Sequence, residues 1–280
     1  MGLLEGKTAL ITGVANKMSI AWAIAGAFRK EGAEIALCCL ESNLRRVSKI
    51  AREMGIGTVV PCDVRNDDDI TRVFSTIGTV FDGKLDILVH SIAYAQIEDL
   101  GGEFLKVLRS GWNLALEISA YSLVAFCREA RPLMAKSNDA SIMTLTFGGG
   151  ERVTPGYNIM GVAKAALNMS IMYLAYDLGP DRIRVNGISS GPIRTLSSLM
   201  VEDFASSLNL MEEQSPLLRN ITLEDVSGTA VYLASALSSG VTASIIKVEG
   251  GMSGLLAPSI THPRRKAGLK QNDSISIEKT

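Results

Sequence analysis

The sequence predicts an α/β protein, a single doubly wound Rossmann domain whose parallel sheet has about seven strands with helices on both faces. Two observations carry that expectation. Short continuous apolar runs alternate with segments of helical period along most of the chain. Strands buried on both faces read this way, and right-handed crossovers between them build a parallel sheet. Glycine or small polar residues also follow one apolar run after another, at the carboxyl edge where such sheets take their ligands.

The elements are expected in this order. Residues 7–12 (KTALIT) form a short strand ending at Gly13, and a loop leads into a helix over 20–31. Gly32 stops that helix, and 33–39 (AEIALCC) form the next buried strand. A helix near 43–54, a strand at 58–62, a helix over 67–78 and a strand at 85–91 continue the alternation. Helices near 103–135 precede a strand at 141–146, a helix over 157–178 and a strand at 183–188. A helix over 222–236 and a strand at 244–248 complete the pattern. No proline- or serine-rich linker divides residues 1–257, so they read as one domain; residues 258–280 are polar, unpatterned and expected to be a flexible tail.

A chain of 280 residues buries a substantial core, and its 47% hydrophobic content excludes disorder for most of the length. A net charge of −1 leaves no electrostatic footprint for nucleic acid. Cys38, Cys39, Cys62 and Cys127 form no C-x-x-C pair, and with only His90 and His262 beside them no metal site is expected. Such scattered thiols suit a reducing compartment. No run reaches the roughly 18–20 apolar residues of a membrane span. The opening segment lacks a signal-peptide core, and Gly6 stands where a myristoylation signal needs Ser or Thr. A cytoplasmic location without membrane contact is therefore expected.

Tyr157 and Lys164 lie seven residues apart. On a helix that spacing returns to within about 20° of the starting direction, so both groups are expected on one face. A phenol is a hydrogen-bond donor, and a nearby cation favours its ionised form; together they suit an oxyanion. Taken alone such a pair is commonplace, and the loops at the carboxyl edge add to it. Residues 12–21 keep only Gly13 of the G-x-G-x-x-G pattern, yet Ala15, Ser19 and Ala21 are small enough for backbone to approach a pyrophosphate at a helix N-terminus. Asp63, followed by Val64, accepts from an adenine amine or caps the next helix. Ser91-Ile92-Ala93 offers a small-residue floor, and Thr195, after Gly191-Pro192-Ile193-Arg194, reaches for phosphate.

These motifs resemble the short-chain dehydrogenase/reductase superfamily, and within it the bacterial enoyl-[acyl-carrier-protein] reductases of type II fatty acid synthesis. The resemblance spans residues 1 to about 257 and rests on Gly13-x5-Ser19-Ile20-Ala21, Cys62-Asp63-Val64, His90-Ser91-Ile92-Ala93, Tyr157-x6-Lys164, Arg184-Val185-Asn186 and Gly191-Pro192-Ile193-Arg194-Thr195. Most of the superfamily uses Y-x3-K, but Gly161 occupies that lysine position here. The resemblance implies a dinucleotide-binding catalytic domain in which Tyr157 contacts the substrate carbonyl and Lys164 holds the nicotinamide ribose. It implies that Gly13, Ser19, Ile20, Asp63, Val64, Ser91, Ala93, Ile193 and Thr195 line the cofactor. Tyr94, Ala95, Leu100, Met160 and Phe204 would face the acyl chain, and a mobile substrate loop near 196–215 would close over it. A homotetramer assembled through the long helices and the last strand is the implied oligomer.

Two features depart from the family pattern. Phe147 stands where relatives often carry a second tyrosine, and 201–206 (VEDFAS) lacks the basic residues thought to meet an acidic acyl carrier protein. Weak carrier docking is therefore expected, with Arg194 and Arg219 as the nearby cations. NADH is expected over NADPH, because Glu41 would repel a 2′-phosphate, although Arg45 and Arg46 lie one turn on. Two alternatives stay open: a reductase of 3-oxoacyl or other carbonyl substrates, and a nicotinamide-binding protein without turnover.

Overall fold

A computed structural model of the chain describes residues 2–195, 198 and 204–255. Seven strands are all parallel: β1 (Thr8–Thr12), β2 (Glu34–Cys39), β3 (Thr58–Pro61), β4 (Ile87–His90), β5 (Ala140–Thr146), β6 (Ile183–Ser190) and β7 (Ile245–Val248). Their order is β3-β2-β1-β4-β5-β6-β7, so the winding reverses between β1 and β4. That reversal opens a crevice at the carboxyl edge.

The strands carry apolar residues on both sides because both sides are covered. Ile11 of β1 and Leu37 of β2 point into one core with α1 (Ile20–Lys30), α2 (Leu44–Glu53) and α8 (Leu223–Ala234). Their neighbours Leu10 and Ala36 point into the other, with α3 (Asp67–Val80), α5 (Ser122–Met134) and α6 (Asn158–Leu178). Caps fix where helices begin. The Asn66 side chain accepts from the Asp68 amide before α3, and Thr222 forms a capping box with Asp225 before α8.

Three features differ from the sequence expectation. The stretch 103–135 is not simply helical: a 3-10 turn precedes α4 (Arg109–Leu116), and a π-helical turn, Glu117–Tyr121, joins α4 to α5. Inside the expected substrate loop, α7 (Phe204–Gln214) is a helix seated by Leu208 and Met211; residues 196, 197 and 199–203 lie outside the described residues, as does the tail from 256. Third, the stretch Asn158–Asp181 has the length and hydropathy of a membrane span. It packs on the sheet through Ile159, Ala163, Leu167 and Ile171, while Met169, Met172, Tyr173 and Tyr176 give its outer face an apolar character.

Candidate active site

The crevice at the winding reversal is a cavity of about 730 Å³. Its floor begins at β1. Thr12 Oγ1 donates to the Val89 carbonyl (3.1 Å) and accepts from the Ser91 amide (3.2 Å), tying the turn after β1 to the turn after β4. Gly13 follows with φ +78°, and a Cβ there would fall 1.8 Å from the Ser91 carbonyl oxygen. Only glycine fits both the backbone conformation and the close approach.

Ser19 caps α1, accepting from the Trp22 amide and donating to the Asn16 carbonyl at 2.8 Å. The first turn of α1 holds no acidic residue and its last turn holds Arg29 and Lys30, so the positive end of the helix is left for an anion at the cavity wall. Ser19, Ile20, Val64, Ala93 and Thr195 all line the cavity. Ile193 does not; it is buried in the core beneath the turn after β6.

Asp63 lines the cavity as well, but its carboxylate is already engaged. Arg65 Nη2 and Nε reach Asp63 Oδ2 at 2.5 and 3.1 Å, and Oδ1 accepts from Arg65 Nε and the Arg65 amide at 3.0 Å each. The guanidinium hydrogen bond holds the Asp63 carboxyl below its ordinary range. The cap of α3 is Asn66, so Asp63 is not a helix cap. Sequence reading missed Arg65; its one signal was a cation two residues from a loop carboxylate.

Lys164 sits on α6 and projects into the cavity, buried, with Nζ donating to the Leu145 carbonyl at 2.8 Å. Burial lowers its pKa to about 8. Tyr157 is not in the helix; it is the residue preceding α6, with φ −120° and ψ −10°. Nor does a cation favour its ionised form. Burial raises its pKa well above the ordinary phenol value, so Tyr157 is a neutral hydrogen-bond donor. Its ring meets Phe147 edge to face at 5.0 Å, and the phenyl at 147 thus supports the tyrosine directly.

The triglycine turn Gly148–Gly150 lies flat against this pair. A Cβ at Gly149 would come 2.7 Å from the Tyr157 ring, and one at Gly150 would come 2.8 Å from Lys164 backbone. A Cβ at Gly161 would lie 2.9 Å from the Gly149 carbonyl oxygen. A side chain at Gly161 is therefore excluded by the turn, which leaves Lys164 as the lysine of this helix that reaches the cavity.

The acyl-facing candidates separate into three places. Leu100 and Met160 form a small apolar cluster with Ala163, against which Ala95, Leu116 and Tyr157 pack. Tyr94 lines the cavity and is half-exposed. Phe204 opens α7 half-buried and belongs neither to the cavity lining nor to that cluster. Of the two cations expected near the portal, Arg194 is exposed, whereas Arg219 is spent on a two-pronged pair with Asp225 at 2.6 and 2.9 Å.

An extended nucleotide suits this crevice, with a glycine cradle closed to any Cβ, a helix N-terminus, a carboxylate edge and a buried ammonium along its length. Fold and site together define a nicotinamide-dependent oxidoreductase of the short-chain type. Comparison with known proteins narrows the class. The sequence profile described as enoyl-(acyl carrier protein) reductase matches residues 13–253. The enoyl-[acyl-carrier-protein] reductase [NADH] FabI of Neisseria meningitidis is 47% identical over 255 residues, 90% of this chain and 97% of that protein. A crystal structure of the Bacillus cereus enoyl-acyl carrier protein reductase with NADP+ and indole naphthyridinone superposes with a TM-score of 0.89 at 46% identity, over 92% of this chain and 100% of that one. The Anaplasma phagocytophilum enzyme in complex with NAD gives 0.88 at 42% identity, over 92% and 98%. The chain belongs to the enoyl-(acyl carrier protein) reductase family.

Proposed function

We propose that the protein is an NADH-dependent enoyl-[acyl-carrier-protein] reductase of fatty acid elongation, converting a trans-2-enoyl thioester to the saturated acyl thioester. The carrying observation is a neutral, half-buried Tyr157 packed on the Leu100–Met160–Ala163 cluster, with a buried Lys164 lining the adjoining cavity. When bound, NADH would supply the hydride for the β-carbon, and a proton taken up at the α-carbon would complete the saturated thioester. Conjugation moves the charge to the thioester oxygen, where Tyr157 donates its hydrogen bond; a donor aimed at an oxyanion is typically worth about 10²–10³ in turnover. Lys164 holds the cofactor ribose, and its ammonium adds positive potential to the site. The Gly13 turn and the α1 N-terminus take the pyrophosphate, and Ala95, Leu100 and Met160 seat the acyl chain.

NADH over NADPH is supported by the names of the curated relatives and by Glu41, exposed just after β2. The Bacillus cereus structure with NADP+ shows that a relative takes the phosphorylated form as well. We place the enzyme in the cytoplasm, as four free buried cysteines suggest, and assign it a homotetramer. The exposed apolar face of α6 supports the oligomer, since a large apolar patch on a soluble protein marks a contact surface.

One assay separates the readings. Reduced nicotinamide should be consumed with a short trans-2-enoyl thioester and not with a 3-oxoacyl thioester. The reverse preference identifies a carbonyl reductase, and silence toward both identifies a binding protein.

A further inference from the structure

The π-helical turn between α4 and α5 inserts one residue into the helix, a distortion that recurs at functional sites. Ser119 lies in this turn, fully buried, against the irregular stretch 91–96 that follows β4. The Tyr94 amide donates to Ser119 Oγ at 3.0 Å, and the Ser119 hydroxyl donates to the Tyr94 carbonyl at 3.1 Å. One side chain thus satisfies both backbone groups of Tyr94, as a neighbouring strand does inside the sheet. Met160 Sδ lies 3.7 Å from the same oxygen.

The turn is braced from the sheet. Ser122 Oγ donates its single proton to the Ile118 carbonyl at 2.6 Å, so it accepts from His90 Nε2 at 2.9 Å. His90 Nδ1 then accepts from Thr144 Oγ1 at 3.0 Å. Burial pushes His90 down to about 3, which keeps this brace neutral. Tyr94 lines the cavity and its neighbour Ala95 packs on the Leu100–Met160–Ala163 cluster, so the residue clamped by Ser119 stands where the two meet.

We propose that Ser119 is a positioning residue for the acyl substrate, fixing the backbone of Tyr94 so that residues 91–96 form a set wall between the cofactor cleft and the acyl-side cluster. This rests on the enoyl-reductase reading above. Without the hydroxyl, both Tyr94 groups lose their partner and the wall is in its competent form for a smaller fraction of the time. Apparent affinity for the substrate falls by that fraction.

Ser119→Ala in the full-length oligomer should raise KM for a short enoyl thioester by about tenfold while KM for NADH moves less than about twofold. Ser119→Thr keeps the hydroxyl and should return the thioester KM to within about threefold of wild type. Hydrogen exchange at the Tyr94 amide should be slow in wild type and fast in the alanine variant. An unmoved thioester KM, or equal rises in both KM values, overturns the proposal. Fast exchange at Tyr94 in wild type overturns it as well, even if the alanine variant does not fold. Failure of the enoyl-reductase reading looks different, because wild type itself would then leave the thioester untouched.

Discussion

At the amino edge of the sheet the buried charges Arg184 and Asp86 have several partners each. Arg184 donates to Ser238 Oγ at 2.8 Å, to the Leu233 carbonyl at 3.0 Å and to Asp139 at 3.3 Å. Asp139 also pairs with Lys7 at 3.0 Å, and Asp86 accepts from Thr8, Ser137 and Lys84. At the carboxyl edge Asp63 is held by Arg65, but two donors of the site are less fully matched. Lys164, equally buried, has one carbonyl for a partner, and the Tyr157 hydroxyl has none among the described residues. The first edge spends its polar groups on holding strands together; the second keeps donors free for a ligand, at a cost in stability.

The sharpest way to break this contrast is one substitution at each edge. Tyr157→Phe should lower kcat by about 10² or more and leave cofactor binding and the melting temperature near wild type. Arg184→Ala should do the opposite, destabilising by about 3 kcal/mol because Asp139, Ser238 and the Leu233 carbonyl lose a buried partner, with kcat per folded molecule unchanged. Urea unfolding beside steady-state kinetics reads both. A Tyr157→Phe enzyme that is active but unstable would erase the distinction.

Lys164 gives a pH test. It is charged below about 8 and loses its proton as pH rises through that value. Affinity of the free enzyme for NADH should therefore fall above pH 8, at most about tenfold per pH unit for a single proton. Stability should move the other way. The folded lysine releases its proton before the unfolded one, so the unfolded state binds more protons between about 8 and the ordinary lysine value of 10.5, and stability rises with pH across that window. A cofactor affinity that stays flat to about pH 10 contradicts the assignment of Lys164.

The smallest effect is expected at Phe147→Tyr. The ring already packs against Tyr157, and an added hydroxyl keeps that contact. Turnover with short enoyl thioesters should change by less than about threefold, within the range of one weak hydrogen bond.

How much of this was legible beforehand differs between the same two edges. The strands were plain because parallel strands covered on both faces read as mainly apolar runs, as in residues 35–39 (IALCC). The glycine at 13 was plain because backbone sterics are local, whereas the helical period that put Tyr157 and Lys164 on one face holds only for Lys164, since Tyr157 precedes α6. What stayed hidden depends on distant partners. Nothing in Glu117–Tyr121 marks a π-helical turn, and nothing near Ser119 tells that its hydroxyl meets Tyr94, 25 residues away. The balance between burial and the nearby lysine at Tyr157 was hidden for the same reason. Spacing shows a lysine on the next turns but not the burial that outweighs it.

The central claim is that this cleft delivers a hydride to the β-carbon of an enoyl thioester. The most direct measurement uses NADH deuterated at the transferring position of the nicotinamide ring and locates the label in the product. Deuterium on the β-carbon of a saturated acyl thioester is the predicted result. Deuterium on a hydroxyl-bearing carbon, or a recovered thioester without label, would contradict it.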